Sequence, residues 1–114
     1  MRKRKKLKKH VVIAITAAKV MFDNNLGDEY TAYKMAKTYG VSRNVLQKTF
    51  KEEYGEGIRD YRLRIRMEKS KDLLAEGKDA KEISITLNYS HPSAFNNAFK
   101  RYYKVTPKEM FDFN

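Results

Sequence analysis

Residues 35–54, MAKTYGVSRNVLQKTFKEEY, recur in altered form at residues 83–103, ISITLNYSHPSAFNNAFKRYY. In each copy a short helical pattern ends at a turn residue, Gly40 or Asn88, and a longer one follows. Glycine and asparagine adopt the left-handed backbone of a tight turn more readily than other residues do. The second copy has one extra residue in its turn. The repeat therefore predicts two helix-turn-helix units, in which the second helix enters the major groove of DNA.

Helical periodicity dominates the whole chain, whereas the period-two alternation of strands never persists for more than a few residues. We predict an all-α, homeodomain-like fold of about seven helices, with two helix-turn-helix subdomains joined by a long linker helix. The predicted helices cover about 10–24, 31–38, 42–54, 58–75, 79–87 and 92–103, with a last turn from Pro107. Thr31, Ser42 and Asp79 are the predicted caps.

These elements divide the chain into four predicted segments. They are a basic flexible tail at 1–9, a first helix-turn-helix subdomain at 10–57, a linker helix at 58–76 and a second helix-turn-helix subdomain at 77–114. The linker spans roughly 27 Å at 1.5 Å per residue. A helix of that length could hold two reading helices near one turn of B-DNA apart, about 34 Å.

The formal charge of the 114 residues is +11, and it is unevenly distributed. Seven basic residues lie within the first nine positions, which leaves +4 for the remainder. Residues 30–51 and 83–108 contain no acid, whereas nine of the 14 acids lie within residues 52–82. Two acid-free windows with an acid-rich one between them suggest two surfaces that meet the same anionic partner.

Composition argues against an enzyme and against a cofactor. There is no cysteine, and the two histidines, His10 and His91, are too few to build the usual nucleophile–base or metal sites. No apolar run is long enough to span a membrane. Lys19 interrupts the apolar run near the start and no A-x-A pattern follows, which favours a helix over a secretory signal peptide.

The second helices of the two units present similar polar arcs when Leu46 is aligned with Phe95. The arcs consist of Asn44, Gln47, Lys48 and Lys51 in one helix, and of Ser93, Asn96, Asn97 and Lys100 in the other. Asn and Gln can bond adenine bidentately, while Lys favours guanine acceptors or phosphate. The alternative is an ordinary solvated face, which does not explain the coincidence of the two arcs.

We predict that bases are read by Asn44, Gln47, Lys48, Ser93, Asn96 and Asn97. Asn44 and Ser93 could instead assist the helix starts. Phosphate contacts are predicted for Arg43, Lys51, His91, Lys100 and Arg101, although His91 could serve as a cap. Four linker arginines could also touch phosphate or pair with neighbouring acids, namely Arg59, Arg62, Arg64 and Arg66. In the second reading helix, the predicted core stripe is Phe95, Ala98, Phe99 and Tyr102.

From about residue 11 to residue 111 the chain resembles the DNA-binding domain of AraC/XylS-type bacterial transcription regulators. The resemblance rests on Met35-Ala36…Gly40-Val41-Ser42…Leu46…Phe50-Lys51, on Tyr61…Arg66…Leu73-Leu74, and on Ile83…Tyr89…Phe95…Phe99-Lys100…Thr106-Pro107. It implies sequence-specific binding of double-stranded DNA, regulation of transcription, often by activation through RNA polymerase, and a cytoplasmic, nucleoid-associated location. The base-contacting positions of the family fall on Asn44, Gln47, Lys48, Pro92, Ser93, Asn96 and Asn97.

The sequence departs from the family pattern at several positions. Asn88 and Lys104 stand where glycine is usual, and Ser70 and Ser84 stand where alanine is usual. Lys104 therefore requires a turn that admits a side chain.

The sequence does not decide whether the chain has partners other than DNA. Helix 1 has a core stripe of Val11, Ala14, Ile15, Ala18 and Phe22, yet Val12, Ile13 and Val20 lie on its other side. That second apolar face is either incidental or a contact surface for an N-terminal sensing domain or a second subunit.

The alternative function is non-specific or architectural nucleic-acid binding through the basic tail. A protein-interaction module would not explain the matched arcs.

Overall fold

The computed structural model describes residues 6–25 and 27–111, and within these residues all regular structure is helical. The described elements are α1 (Lys9–Asp23), α2 (Glu29–Thr38), α3 (Arg43–Tyr54), α4 (Ile58–Ala75), α5 (Ala80–Thr86), α6 (Pro92–Tyr103) and α7 (Pro107–Phe111). The all-α prediction is confirmed, and most predicted ends lie within one residue of the observed ones. Most of the predicted basic tail, including Arg2 to Lys5, lies outside the described residues.

The chain forms two compact units, Met1–Arg62 and Leu63–Asn114, and α4 contributes residues to both. The first unit contains α1, α2 and α3, with Phe22 and Phe50 in edge-to-face contact at 6.2 Å between ring centroids. In the second unit a buried cluster joins α4, α5 and α6 through Met67, Ile83 and Phe99. Each unit thus has its own core, against which its second helix-turn-helix helix is packed.

Helix α1 buries one face in the first unit and leaves apolar residues on another. The predicted stripe of Val11, Ala14, Ile15, Ala18 and Phe22 is buried, as is Met21. Val12, Ile13 and Val20 are 41%, 41% and 53% exposed. The helix therefore carries more apolar surface than the described part of its own unit covers.

Helix α2 begins two residues earlier than predicted. Its cap is Asp28, whose carboxylate accepts the backbone N–H of Thr31 at 2.9 Å. The Thr31 hydroxyl in return accepts the Asp28 backbone N–H, so the two side chains form a reciprocal capping box. The prediction of Thr31 as the cap is wrong: Thr31 is the third helical residue and the partner of the cap. The predicted caps Ser42 and Asp79 are confirmed.

The turns of the two helix-turn-helix units have the same hydrogen-bond pattern. Gly40 and Asn88 both have left-handed backbones, with φ of 74° and 63°. The residue after each turn position donates back to the helix, from Val41 to the Ala36 carbonyl at 2.9 Å and from Tyr89 to the Ser84 carbonyl at 2.8 Å. This is the Schellman ending of a helix. The repeat seen in the sequence is therefore a repeat of local backbone structure.

Candidate nucleic-acid interface

Helix α3 exposes its polar arc because its opposite face is anchored in the first unit. Leu46 and Phe50 are fully buried, and Thr49 is nearly so. The Ser42 hydroxyl starts the helix by accepting the backbone N–H of Val45 at 3.2 Å. The side chains predicted to contact DNA are all exposed on this helix, namely Arg43, Asn44, Gln47, Lys48 and Lys51.

Two of these exposed side chains contact Tyr33, a residue of α2 that the sequence did not mark. The Gln47 side-chain amide (Nε2) donates to the Tyr33 hydroxyl at 2.7 Å. The guanidinium of Arg43 lies 4.4 Å from the centroid of the Tyr33 ring, within cation–π range. Tyr33 lies 14 residues before Gln47 in the sequence, so helical periodicity could not have indicated the contact.

A cationic groove lies beside the start of α3. It has a volume of about 680 Å³, and its lining includes Tyr30, Tyr33, Lys34, Lys37 and Arg43. The ammonium group of Lys34 lies 5.3 Å from the centroid of the Tyr30 ring. Three basic side chains without an acid in the lining favour an anionic ligand such as a phosphate group.

Helix α6 is anchored like α3, by Phe95 and Phe99, which are both fully buried. The predicted contact residues Ser93, Asn97, Lys100 and Arg101 are exposed on it. The predicted stripe needs one correction. Tyr103 packs against the core, whereas Tyr102 is 38% exposed, because the stripe drifts around the helix by the last turn.

Asn96 is the one predicted base-reading residue that is half-buried. With Ala80, Pro107 and Phe111 it lines a cavity of about 440 Å³ on the second unit. Its counterpart Gln47 is exposed. The two polar arcs match in sequence but differ in exposure at this position. At the next position along each helix, Lys48 and Asn97 are both exposed.

The start of α6 has a cap made from two predicted contact residues. The His91 ring nitrogen Nδ1 accepts the backbone N–H of Ala94 at 3.2 Å. The hydroxyl of Ser93 lies 2.6 Å from the same nitrogen. The alternative that His91 caps the helix is therefore confirmed, and Ser93 belongs to the same hydrogen-bonded cluster. The opposite edge of the His91 ring is not used by these two contacts.

The linker arginines do not behave alike. Arg64 pairs with Glu68 at 3.1 Å, one helical turn away, as the intrahelical alternative predicts. Arg66 is only 8% exposed, and it donates to the Asn88 backbone carbonyl at 2.9 Å. The expectation that Arg66 could touch phosphate is wrong, because its guanidinium is used inside the second unit.

Among residues 6–25 and 27–111, no group of three or more His, Cys, Asp or Glu side chains is placed to hold a metal ion. No helix among these residues is long and apolar enough to cross a membrane.

Residues 35–112 match the sequence profile of a family described as a helix-turn-helix domain. The chain belongs to this family of AraC-type helix-turn-helix domains. The match covers the end of α2 from Met35 onward and all of α3 to α7, and therefore residues of both units. Binding DNA and regulating transcription is the function class of the family.

Curated relatives and a solved structure agree with this assignment. The chain is similar to the Msm operon regulatory protein of Streptococcus mutans, with 30% identity over 97 residues, which cover 84% of this chain and 35% of the relative. It is 40% identical over 76 residues to the xylose operon regulatory protein of Escherichia coli K12, covering 66% of this chain and 19% of the relative.

The solved structure is that of the xylose-binding transcription activator xylR, with a TM-score of 0.61 and 29% identity. That similarity covers 98% of this helix-turn-helix chain and 29% of the xylR chain. The present chain thus spans about a third or less of the length of these regulators.

Proposed function

We propose that this domain binds specific double-stranded DNA sequences by inserting α3 and α6 into major-groove segments, and that it thereby regulates transcription. The observation that carries the proposal is the equivalence of Lys48 and Asn97. Each is exposed on the second helix of a helix-turn-helix unit, and each lies two residues after a fully buried anchor, Leu46 or Phe95. An anchored helix with an exposed polar arc is the arrangement that direct base readout requires.

The proposed roles follow from side-chain chemistry. The amides of Gln47, Asn96 and Asn97 suit adenine, the ammonium of Lys48 suits guanine, and Asn44 and Ser93 contribute at the helix starts. Arg43, Lys51, Lys100 and Arg101 are exposed cations beside these residues, and we assign them to phosphate. His91 would add a phosphate contact through the ring edge that faces away from its capping bond.

Selection of binding sites from random duplex DNA tests the proposal most directly. We expect one preferred sequence, and then a loss of about 1–3 kcal/mol at particular base pairs for Asn97→Ala and for Lys48→Ala. Lys69→Ala, an exposed change on α4, is the matched control and should leave the preference unchanged. If either reading-helix variant weakened binding to all sequences equally, base readout at that position would be refuted.

A second candidate function is non-specific or architectural nucleic-acid binding. The seven basic residues among the first nine favour it, because such clusters bind phosphate without regard to sequence. It predicts that the selection returns no consensus and that affinity depends on the basic cluster alone. The two matched helix-turn-helix units favour specific binding over this candidate.

The greater length of the relatives suggests partners other than DNA. Since the chain spans about a third or less of them, we propose that α1 packs through Val12, Ile13 and Val20 on a sensing domain or on a second subunit. Contact with RNA polymerase, activation, and a cytoplasmic, nucleoid-associated location are proposed from the transcription activator that this chain resembles. A strict monomer in analytical ultracentrifugation, unchanged by Ile13→Asp, would argue against self-association through α1.

A further inference from the structure

We propose that Tyr33, which lies outside the recognition helix, is the positioning residue that fixes Gln47 and Arg43 and so sharpens the base preference of the first unit. The inference rests on the proposed function, because it assumes that Gln47 meets a base. It adds a residue of α2 to the determinants of specificity. Its basis is that one side chain contacts both an amide and a guanidinium of the arc on α3.

The hydroxyl of Tyr33 holds the Gln47 amide without consuming its capacity to read adenine. A side-chain amide has two N–H donors and a carbonyl acceptor. Tyr33 takes one N–H at 2.7 Å. The second N–H and the carbonyl remain, and these are the two groups that a bidentate contact with adenine uses. A side chain that is already oriented loses less conformational freedom on binding, so the correct base gains more.

The ring of Tyr33 holds Arg43 in the same way. The guanidinium lies 4.4 Å from the ring centroid, and a planar guanidinium stacked on an aromatic face keeps its N–H groups free at its edge. Those N–H groups can then meet a phosphate oxygen. One residue thus places a base contact and a phosphate contact through two separable parts, its hydroxyl and its ring.

The second unit has no aromatic residue at the position that corresponds to Tyr33. Alignment of the two copies places Lys81 at the position of Tyr33, and Asn96 at the position of Gln47. Lys81 has no aromatic ring to place under a cation, and Asn96 is half-buried rather than exposed. We therefore expect the sharper discrimination at the base pair that Gln47 reads in the first unit.

The test uses Tyr33→Phe, which removes the hydroxyl and keeps the ring, in the full chain on its selected DNA site. We expect the preference at the base pair read by Gln47 to fall by about 3- to 10-fold, the value of one net hydrogen bond. Affinity for unrelated DNA and the salt dependence should not change, because the cation–π contact remains. Tyr39→Phe makes the same chemical change at an exposed position directly after the end of α2 and should have no effect.

Two further variants separate the possible outcomes. Gln47→Ala should abolish the preference at its base pair, and adding Tyr33→Phe to it should cause no further loss. Tyr33→Leu should in addition lower affinity for all sequences, because Arg43 loses its support. If Gln47→Ala removed the preference and Tyr33→Phe did not, the positioning role would be refuted while base reading stood. If Gln47→Ala itself left the preference intact, the proposed reading by Gln47 would fail first.

Discussion

The guanidinium of Arg66 donates to the backbone carbonyl of Asn88 at 2.9 Å and so joins α4 to the turn of the second helix-turn-helix unit. Asn88 has a left-handed backbone, and its carbonyl lies just beyond the end of α5. The same guanidinium lies 4.2 Å from the centroid of the Tyr89 ring. A buried cation held in this way fixes the turn that determines where α6 begins.

Removal of this contact should destabilise the second unit. Arg66→Met keeps most of the side-chain volume but leaves the Asn88 carbonyl without its charged donor, so we expect a loss of about 2–3 kcal/mol. Arg66→Lys should lose less, since it keeps a charge but not the planar stack. Urea unfolding followed by circular dichroism provides the measurement. Arg64→Met is the control, because its exposed pair with Glu68 should contribute no more than about 0.5 kcal/mol. Equal effects of the two Met variants would contradict the role given to Arg66.

Lys104 offers a stabilising change. It ends α6 in the left-handed conformation, with φ of 68°, which costs a residue with a side chain roughly 1 kcal/mol. Lys104→Gly relieves that strain, partly offset by the greater freedom of glycine in the unfolded chain, so we expect a gain of about 0.5 kcal/mol. Lys78→Gly, at an exposed position without a positive φ, should lower stability instead. A loss of stability in Lys104→Gly would show that the lysine side chain contributes more than its backbone costs.

Much of the fold could be predicted because it depends on local signals. The paired turns follow from Gly40 and Asn88, and the start of α3 follows from Ser42. The errors arise where two groups act together. Asp28 and Thr31 form the capping box of α2 together, and the sequence pattern assigned the cap to Thr31, the wrong member of the pair. A helical pattern also predicts which face of α6 is apolar. It does not predict that Asn96 lines a cavity together with residues of α7.

The exposure of residues in the candidate site was predictable to the same extent. Exposure of Lys48 and Asn97 follows from the spacing of the buried anchors along each helix. The contacts of Tyr33 do not, because they depend on how α2 and α3 pack, and that packing joins residues far apart in the chain. His91 was ambiguous for a related reason, since histidine can cap a helix or meet phosphate and only the geometry distinguishes these uses.

The capping box of α2 predicts that the stability of the fold falls as the pH is lowered into the acidic range. The backbone N–H of Thr31, followed by its hydroxyl, holds the pKa of Asp28 below its ordinary value of 3.8. Because the folded-state pKa is the lower one, the stabilisation is complete above the unfolded value and is lost as pH falls through the folded value. Asp28→Asn keeps the capping acceptor but cannot titrate, so its stability relative to the natural chain should rise below about pH 4. Urea unfolding at pH 7 and at pH 3 measures this difference, and an unchanged difference would contradict the assignment. Asp28→Ala should cost about 1 kcal/mol at pH 7.

The basic residues before α1 should determine general affinity and not sequence preference. The carbonyl of Lys8 accepts the backbone N–H groups of Val11 and Val12, both at 3.1 Å, so a deletion should stop before it. Deletion of residues 1–7 removes five basic side chains and leaves the start of α1 intact. We expect weaker binding to all duplexes and a salt slope that falls by about 0.9 for each phosphate that the shortened chain no longer neutralises. The ranking of DNA sequences should stay the same, measured by fluorescence anisotropy across a salt series on the selected site and on a scrambled one.

Lys48→Gln is the contrasting variant, since it should change the ranking while it alters the salt slope by no more than the equivalent of about one phosphate. A deletion that abolished the difference between the two duplexes would instead assign specificity to the basic segment and contradict this prediction.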